Sequence, residues 1–297
     1  MMRNATAKTS SQEYQQNRAH SPYELSIVTF FILTFFSFYP VLRDLGQSTL
    51  NNELAHHTPL VFVLALFLIY RDRKPLERLL REASGTGPIF PFVAGLLLNV
   101  AGQVLGIMYL SQLSFPLTLY GMILYLKGPL VARRLIFPLS FLFFAFPIPG
   151  KIYFEVVFPL KLFVTKVATA ILALIGYTVH SEGNIIQISS TVIGVSDACS
   201  GLNSLMAMLT LSTFYTTLVI RRMIYKVVIV LSMFPLVMAV NVVRVTATCV
   251  VAVTWGDELA SGKLHMFWGI FVFAASVIGL MAITKIFIIF EGKTKHG

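Results

Sequence analysis

The sequence predicts an all-α fold, a polytopic integral membrane helical bundle of about eight transmembrane helices, with a short β-hairpin ahead of Cys199. Three observations predict it. Of the 297 residues, 56% are hydrophobic and 12% charged, where a soluble domain carries about 25% charged residues; the mean hydropathy is +0.78. Several apolar runs approach or exceed the ~20 residues that carry a helix across a bilayer core. Lys and Arg gather in clusters between those runs, as in cytoplasmic loops, which accounts for the net charge of +10 without a nucleic-acid partner. A β-barrel would show short alternating segments instead.

Residues 1–24 are polar, carry Arg3, Lys8 and Arg18, and read as a cytoplasmic tail. The transmembrane domain is expected over 25–290, followed by a cytoplasmic tail over 291–297. Span one is Leu25–Leu42, with no small-residue cleavage site behind it, so it reads as an anchor. A polar loop from Arg43 to Thr58 follows, in which His56 and His57 read as solvated rather than metal-bound. Span two is Pro59–Tyr70, and Arg71, Arg73, Lys74, Arg78 and Arg81 behind it form the strongest cytoplasmic marker. Spans three and four are Ile89–Leu110 and Phe115–Leu126; Lys127, Arg133 and Arg134 mark the next cytoplasmic loop; span five, Leu135–Phe146, ends at PIPG.

The segment 152–176 is apolar but holds Glu155, Lys161 and Lys166, and Lys161, Thr165 and Thr169 fall on one helical face. It reads as a helix lying in the outer interface or dipping in and returning. GNIIQISSTVIGV alternates β-branched residues and predicts the hairpin. Span six runs from near Cys199 to Ile220, span seven over Ile224–Val245 and span eight over His265–Ile289. With the N-terminus inside, all the large basic clusters fall on the cytoplasmic side, provided that 152–176 does not cross. Cys199, Arg244 and His265 then share one level, on the outer side.

Each of the three has an ordinary reading as well. A cysteine in an apolar helix is usually a small hydrophobe, which is the reading for Cys249. Cys199 differs, because with Ser196 as N-cap it becomes the third helical residue, where the helix dipole favours a thiolate. Arg244 in NVVRV is expensive in lipid unless it snorkels to the interface, and Asn241 shares its face. His265 opens span eight, where a histidine is more often interfacial; near neutral pH it also serves proton transfer. Asp257 and Glu258 read as solvated loop charges. A nucleophile, a proton carrier and a fixed cation at one depth are what acyl transfer from a peptide needs. No cofactor is called for, and the two cysteines and scattered histidines give no metal-site spacing.

At these residues the sequence resembles the exosortase/archaeosortase family. The carrying pieces are FPIPG (146–150), Glu182-Gly183-Asn184, VSDACSGLNSL (195–205), NVVRV (241–245) and HMFWG (265–269), in the family's order. The resemblance implies a membrane cysteine protease or transpeptidase of a bacterial or archaeal cytoplasmic membrane, with its site at the outer face. It implies catalytic roles for Cys199, Arg244 and His265, with Asn241, Ser196 and Asn203 in support. Its partners, besides membrane lipid, would be exported proteins with a C-terminal sorting tail: a short Pro-Glu-Pro-like motif, one transmembrane helix and a basic cluster. Ser196-Asp197 departs from the Ala-Glu-like pair common in the family, which leaves the subtype open. The rival readings are a transporter using Arg244, a membrane acyltransferase using His265 that would not need Cys199, and a scaffold. The polar groups sit at one edge rather than along a path, and no inverted repeat is visible.

Overall fold

The computed structural model describes residues 31–51, 57–82, 87–146, 150–189, 191–195, 202–256 and 263–293. Helical turns at 31–37 run into α1 (Tyr39–Asn51), followed by α2 (Thr58–Arg71), α3 (Arg73–Glu82), α4 (Phe90–Val104) and α5 (Met108–Phe141). A 3₁₀ turn over Leu142–Ala145 leads toward α6 (Gly150–Leu174). Strands β1 (Val179–Glu182), β2 (Ile185–Ile188) and β3 (Thr191–Gly194) precede α7 (Leu202–Val219), α8 (Met223–Trp255) and α9 (Lys263–Lys293). Among the described residues, four stretches are long and apolar enough to cross a bilayer (Met108–Ala145, Phe154–Leu174, Met223–Trp255 and Phe267–Glu291), and three shorter helices are apolar as well. The protein is a multi-pass helical membrane bundle with one small antiparallel sheet.

Its helices form two groups, each with its own core. The first gathers Phe38, Val41 and Leu45 with Phe146, and Leu64, Ala65 and Leu68 with Phe141 and Leu142. The second joins α6, the sheet, α7, α8 and α9 around Val164, Ile186, Met208, Met233 and Leu280. The edge-to-face rings of Phe67 and Phe214, centroids 5.7 Å apart, connect the groups, as do Phe141 and Phe214 at 6.3 Å. Polar side chains act as glue in the first group, as expected where lipid gives helices no hydrophobic reason to associate. Asn99 Nδ2 donates to Ser37 Oγ at 2.8 Å and to its carbonyl at 3.0 Å. Small residues let α4 and α5 touch backbone to backbone: a Cβ on Gly95 would meet the Thr118 amide nitrogen at 2.8 Å, and one on Gly121 would run into Phe92.

The basic loops share one end. Arg134 Nε lies 3.0 Å from Asp72 Oδ2, and the Gly87 amide donates to the Leu124 carbonyl at 3.1 Å. The Arg221 and Arg222 amides donate to the Glu291 carboxylate at 3.2 and 2.7 Å. Phe67 and Phe214, each near the basic end of its own helix, set the two groups level. The sheet lies at the opposite end, where Ile193 packs on Val251 and Ala252 of α8.

Several expectations change. The polar stretch after span one is helical through Asn51, and the arginine-rich segment after span two forms α3. Spans four and five are one run broken only at Gly128, whose φ of 80° and ψ of 175° leave the helix. The hairpin exists as β2–β3 and gains a third strand, β1. The segment 152–176 does not dip and return, because α6 is an unbroken helix of 25 residues. Its buried stripe of Val157, Val164, Ala168 and Leu172 belongs to the second core. His57 is buried rather than solvated; its Nε2 donates to the Phe144 carbonyl at 2.8 Å, beside Thr58, whose hydroxyl donates to Ala145.

Candidate functional site

Arg244 is built into the interior. Along α8 the buried positions Met233, Val237, Asn241, Arg244, Val245, Cys249 and Ala252 make one helical stripe. That stripe lies in the core shared with α6, α7 and α9, while Leu231 and Val243 on other faces are exposed, as lipid-facing residues are. Asn241 is fully buried and Arg244 is 5% exposed. A snorkelling arginine would keep its head group at the surface, so the ordinary reading of Arg244 does not hold. Nor is Arg244 at the end of its helix, as the expected span predicted, since α8 continues to Trp255. At 1.5 Å per residue it lies ~16 Å inside that end and ~33 Å from Arg222. It occupies the half of the bundle away from the basic loops.

Helix order brings the other segments to that half. α8 packs along α7 and α9, and both run antiparallel to it. The first residues of α7 and of α9 therefore face the C-terminal half of α8. Asn203 falls in the first turn of α7 and His265 in the first turn of α9; their side chains lie outside the described part of the protein. Cys199, Ser196, Asp257 and Glu258 lie outside the described residues altogether. Cys249 is fully buried in the second core, as a small hydrophobe would be. Among the described residues no group of three His, Cys, Asp or Glu could hold a metal ion.

Three polar groups acquire significance only in three dimensions. Asn184, in the two-residue turn between β1 and β2 with Gly183 at φ 59°, closes on the end of β3. Its side-chain amide donates to the Val195 carbonyl at 3.0 Å, and its own carbonyl accepts from the Val195 amide at 2.8 Å. The turn thus fixes the residue that follows β3, four positions before Cys199. The sequence had marked Glu182-Gly183-Asn184 only as a motif. The Trp268 indole N–H, one turn beyond His265, is buried without a hydrogen-bond partner among the described residues. The Thr165 hydroxyl, on the Lys161–Thr165–Thr169 face of α6, is buried in the same condition.

A family model described as transmembrane exosortase (Exosortase_EpsH) matches residues 49–282. No curated protein matches the chain, and no solved structure does. The matched stretch takes in both helix groups, the sheet and the buried Arg244, and the chain belongs to the transmembrane exosortase family.

Proposed function

We propose that the protein is a cysteine peptidase or transpeptidase that cleaves C-terminal sorting signals of exported proteins at the outer face of the membrane. Membership of the exosortase family supports a membrane protein that processes sorting signals. The observation that carries the finer reading is the burial of Arg244 inside the second core, at 5% exposure. An interior arginine in an otherwise apolar span marks a functional site by default.

The Cys199 thiolate adds to the carbonyl carbon of the scissile peptide bond. The oxygen takes the negative charge, which Arg244 stabilises. The intermediate collapses as the C–N bond breaks, and His265 gives its proton to the leaving amine. A thioester remains on Cys199. Water or an acceptor amine then attacks it, His265 takes that nucleophile's proton, and the thiolate is released. Asn241 sits one turn from Arg244 on the buried stripe and orients it; Ser196 and Asn203 flank the nucleophile. The substrate's transmembrane helix packs against the bundle while its basic cluster stays at the end that holds Arg78, Arg134 and Arg221, by the same charge rule that orients the enzyme.

The test is cleavage of a co-expressed host protein carrying a motif, a transmembrane helix and a basic cluster. Cys199→Ala is expected to abolish the size shift, and Cys249→Ala to preserve it. Normal processing by Cys199→Ala would remove the nucleophile and return the transporter and acyltransferase readings.

A further inference from the structure

The small sheet has two unequal edges, and one leads into the segment that holds Cys199. Beyond the end of the β2–β3 ladder the Val195 amide bonds to the Asn184 carbonyl, so the residues of β3 that point their backbone toward β2 are Thr191 and Ile193. The amides and carbonyls of Val192 and Gly194 therefore point the other way, along the free edge. Among the described residues, the strand order β1-β2-β3 leaves that edge without a strand partner. Both residues are exposed, Val192 at 60%, and a Cβ added to Gly194 would meet nothing within 4 Å. Asn184 clamps Val195, the residue that follows the strand, and so fixes where this edge ends.

We infer that β3 is the docking edge for substrate: the segment flanking the scissile bond adds to it as a fourth, extended strand. This rests on the proposed peptidase reading. A peptide bond must be presented in an extended chain for a thiolate to reach it. Strand addition supplies main-chain hydrogen bonds that hold such a chain whatever its side chains, and side-chain pockets then give specificity. An open edge five residues before the nucleophile sets the register of the incoming chain. The opposite edge, where Val179 and Ser181 point their backbone outward, is farther along the chain from Cys199 and serves as an internal comparison.

The experiment uses the full-length protein in membranes with the tailed host protein. Proline removes an amide donor yet is tolerated where the amide faces away from the ladder. Val192→Pro is expected to slow processing about tenfold, the effect of losing roughly one hydrogen bond, while Ser181→Pro leaves it within about twofold. In a second arm, a cysteine replaces Val192 or Ser181 in a Cys199→Ala, Cys249→Ala background, and the substrate carries one cysteine in its motif. A disulfide adduct is expected from Val192→Cys and none from Ser181→Cys. This arm needs no catalysis, so it stands even if Cys199 is not the nucleophile. Equal adducts from both edges, no adduct at Val192, or a Val192→Cys dimer of the enzyme itself would each overturn the proposal.

Discussion

Arg244 is the most costly residue in the second core. Placing an arginine at the middle of a membrane helix costs about 3 kcal/mol on insertion scales. Arg244→Leu is expected to lower processing by at least ~100-fold, the usual effect of losing a fixed oxyanion partner, which is the role proposed for Arg244. Arg244→Lys should fail too, because an ammonium cannot reproduce the planar fork of donors. Activity retained in either variant would make the residue structural. Asn184 is proposed to act at one remove, through the residue after β3 that it clamps. Asn184→Ala removes one bond to the Val195 carbonyl and is expected to lower kcat several-fold, with KM nearly unchanged and the melting temperature within a few degrees. A rise in KM alone would make it a binding residue instead. Arg244 and Asn241 could be read as candidates from the sequence, since polar groups inside an apolar run stand out. Asn184 could not, because its partner is eleven residues away across a hairpin.

At the scale of elements, α5 turns on one residue. Its 34 residues would make a helix of ~51 Å, far longer than the ~30 Å apolar core of a bilayer. The break at Gly128 divides it, and the φ and ψ there belong to a region that only glycine occupies readily. Pro129 follows and has no amide to continue the helical ladder. Gly128→Ala is expected to cost roughly 1–3 kcal/mol, read as a lower melting temperature in detergent; an unchanged value would mean that the break has other conformations open to it. The charge cluster of Lys127, Arg133 and Arg134 revealed the turn in the sequence, but not that helix continues on both sides of it. α6 is the opposite case. Its charges suggested a helix lying in the outer interface or dipping in and returning; it is one unbroken helix, and Val157, Val164, Ala168 and Leu172 bury one face against the second core. Its two flanks, the 3₁₀ turn bonded to His57 and the sheet beside Val251, both sit away from the arginine loops.

For the whole molecule the decisive property is polarity. Asp72 with Arg134, and Glu291 with the Arg221 and Arg222 amides, collect the basic segments of both helix groups at one end. The sheet and the first turns of α7 and α9 collect at the other. By the positive-inside rule we propose that the first end is cytoplasmic. In a cysteine-less background, Arg78→Cys should react with an impermeant maleimide only in inverted vesicles, and Gln187→Cys only in right-side-out cells. Both sites are exposed. Labelling of both from the same side would overturn the topology and, with it, an outward-facing site.

The sequence by itself determined the class of the protein, the end at which its loops are basic, and the short list of residues worth suspecting. Those follow from composition and from isolated polar residues in apolar runs, which lipid makes conspicuous. Only the tertiary structure decided which faces look inward. In water an apolar stripe identifies the core, but in lipid an exposed Leu231 and a buried Met233 are equally apolar, so hydropathy carries no information on direction. The inward aim of Arg244, the seating of α6, the third strand and the Asn184 clamp all depend on packing and long-range hydrogen bonds between segments far apart in the chain.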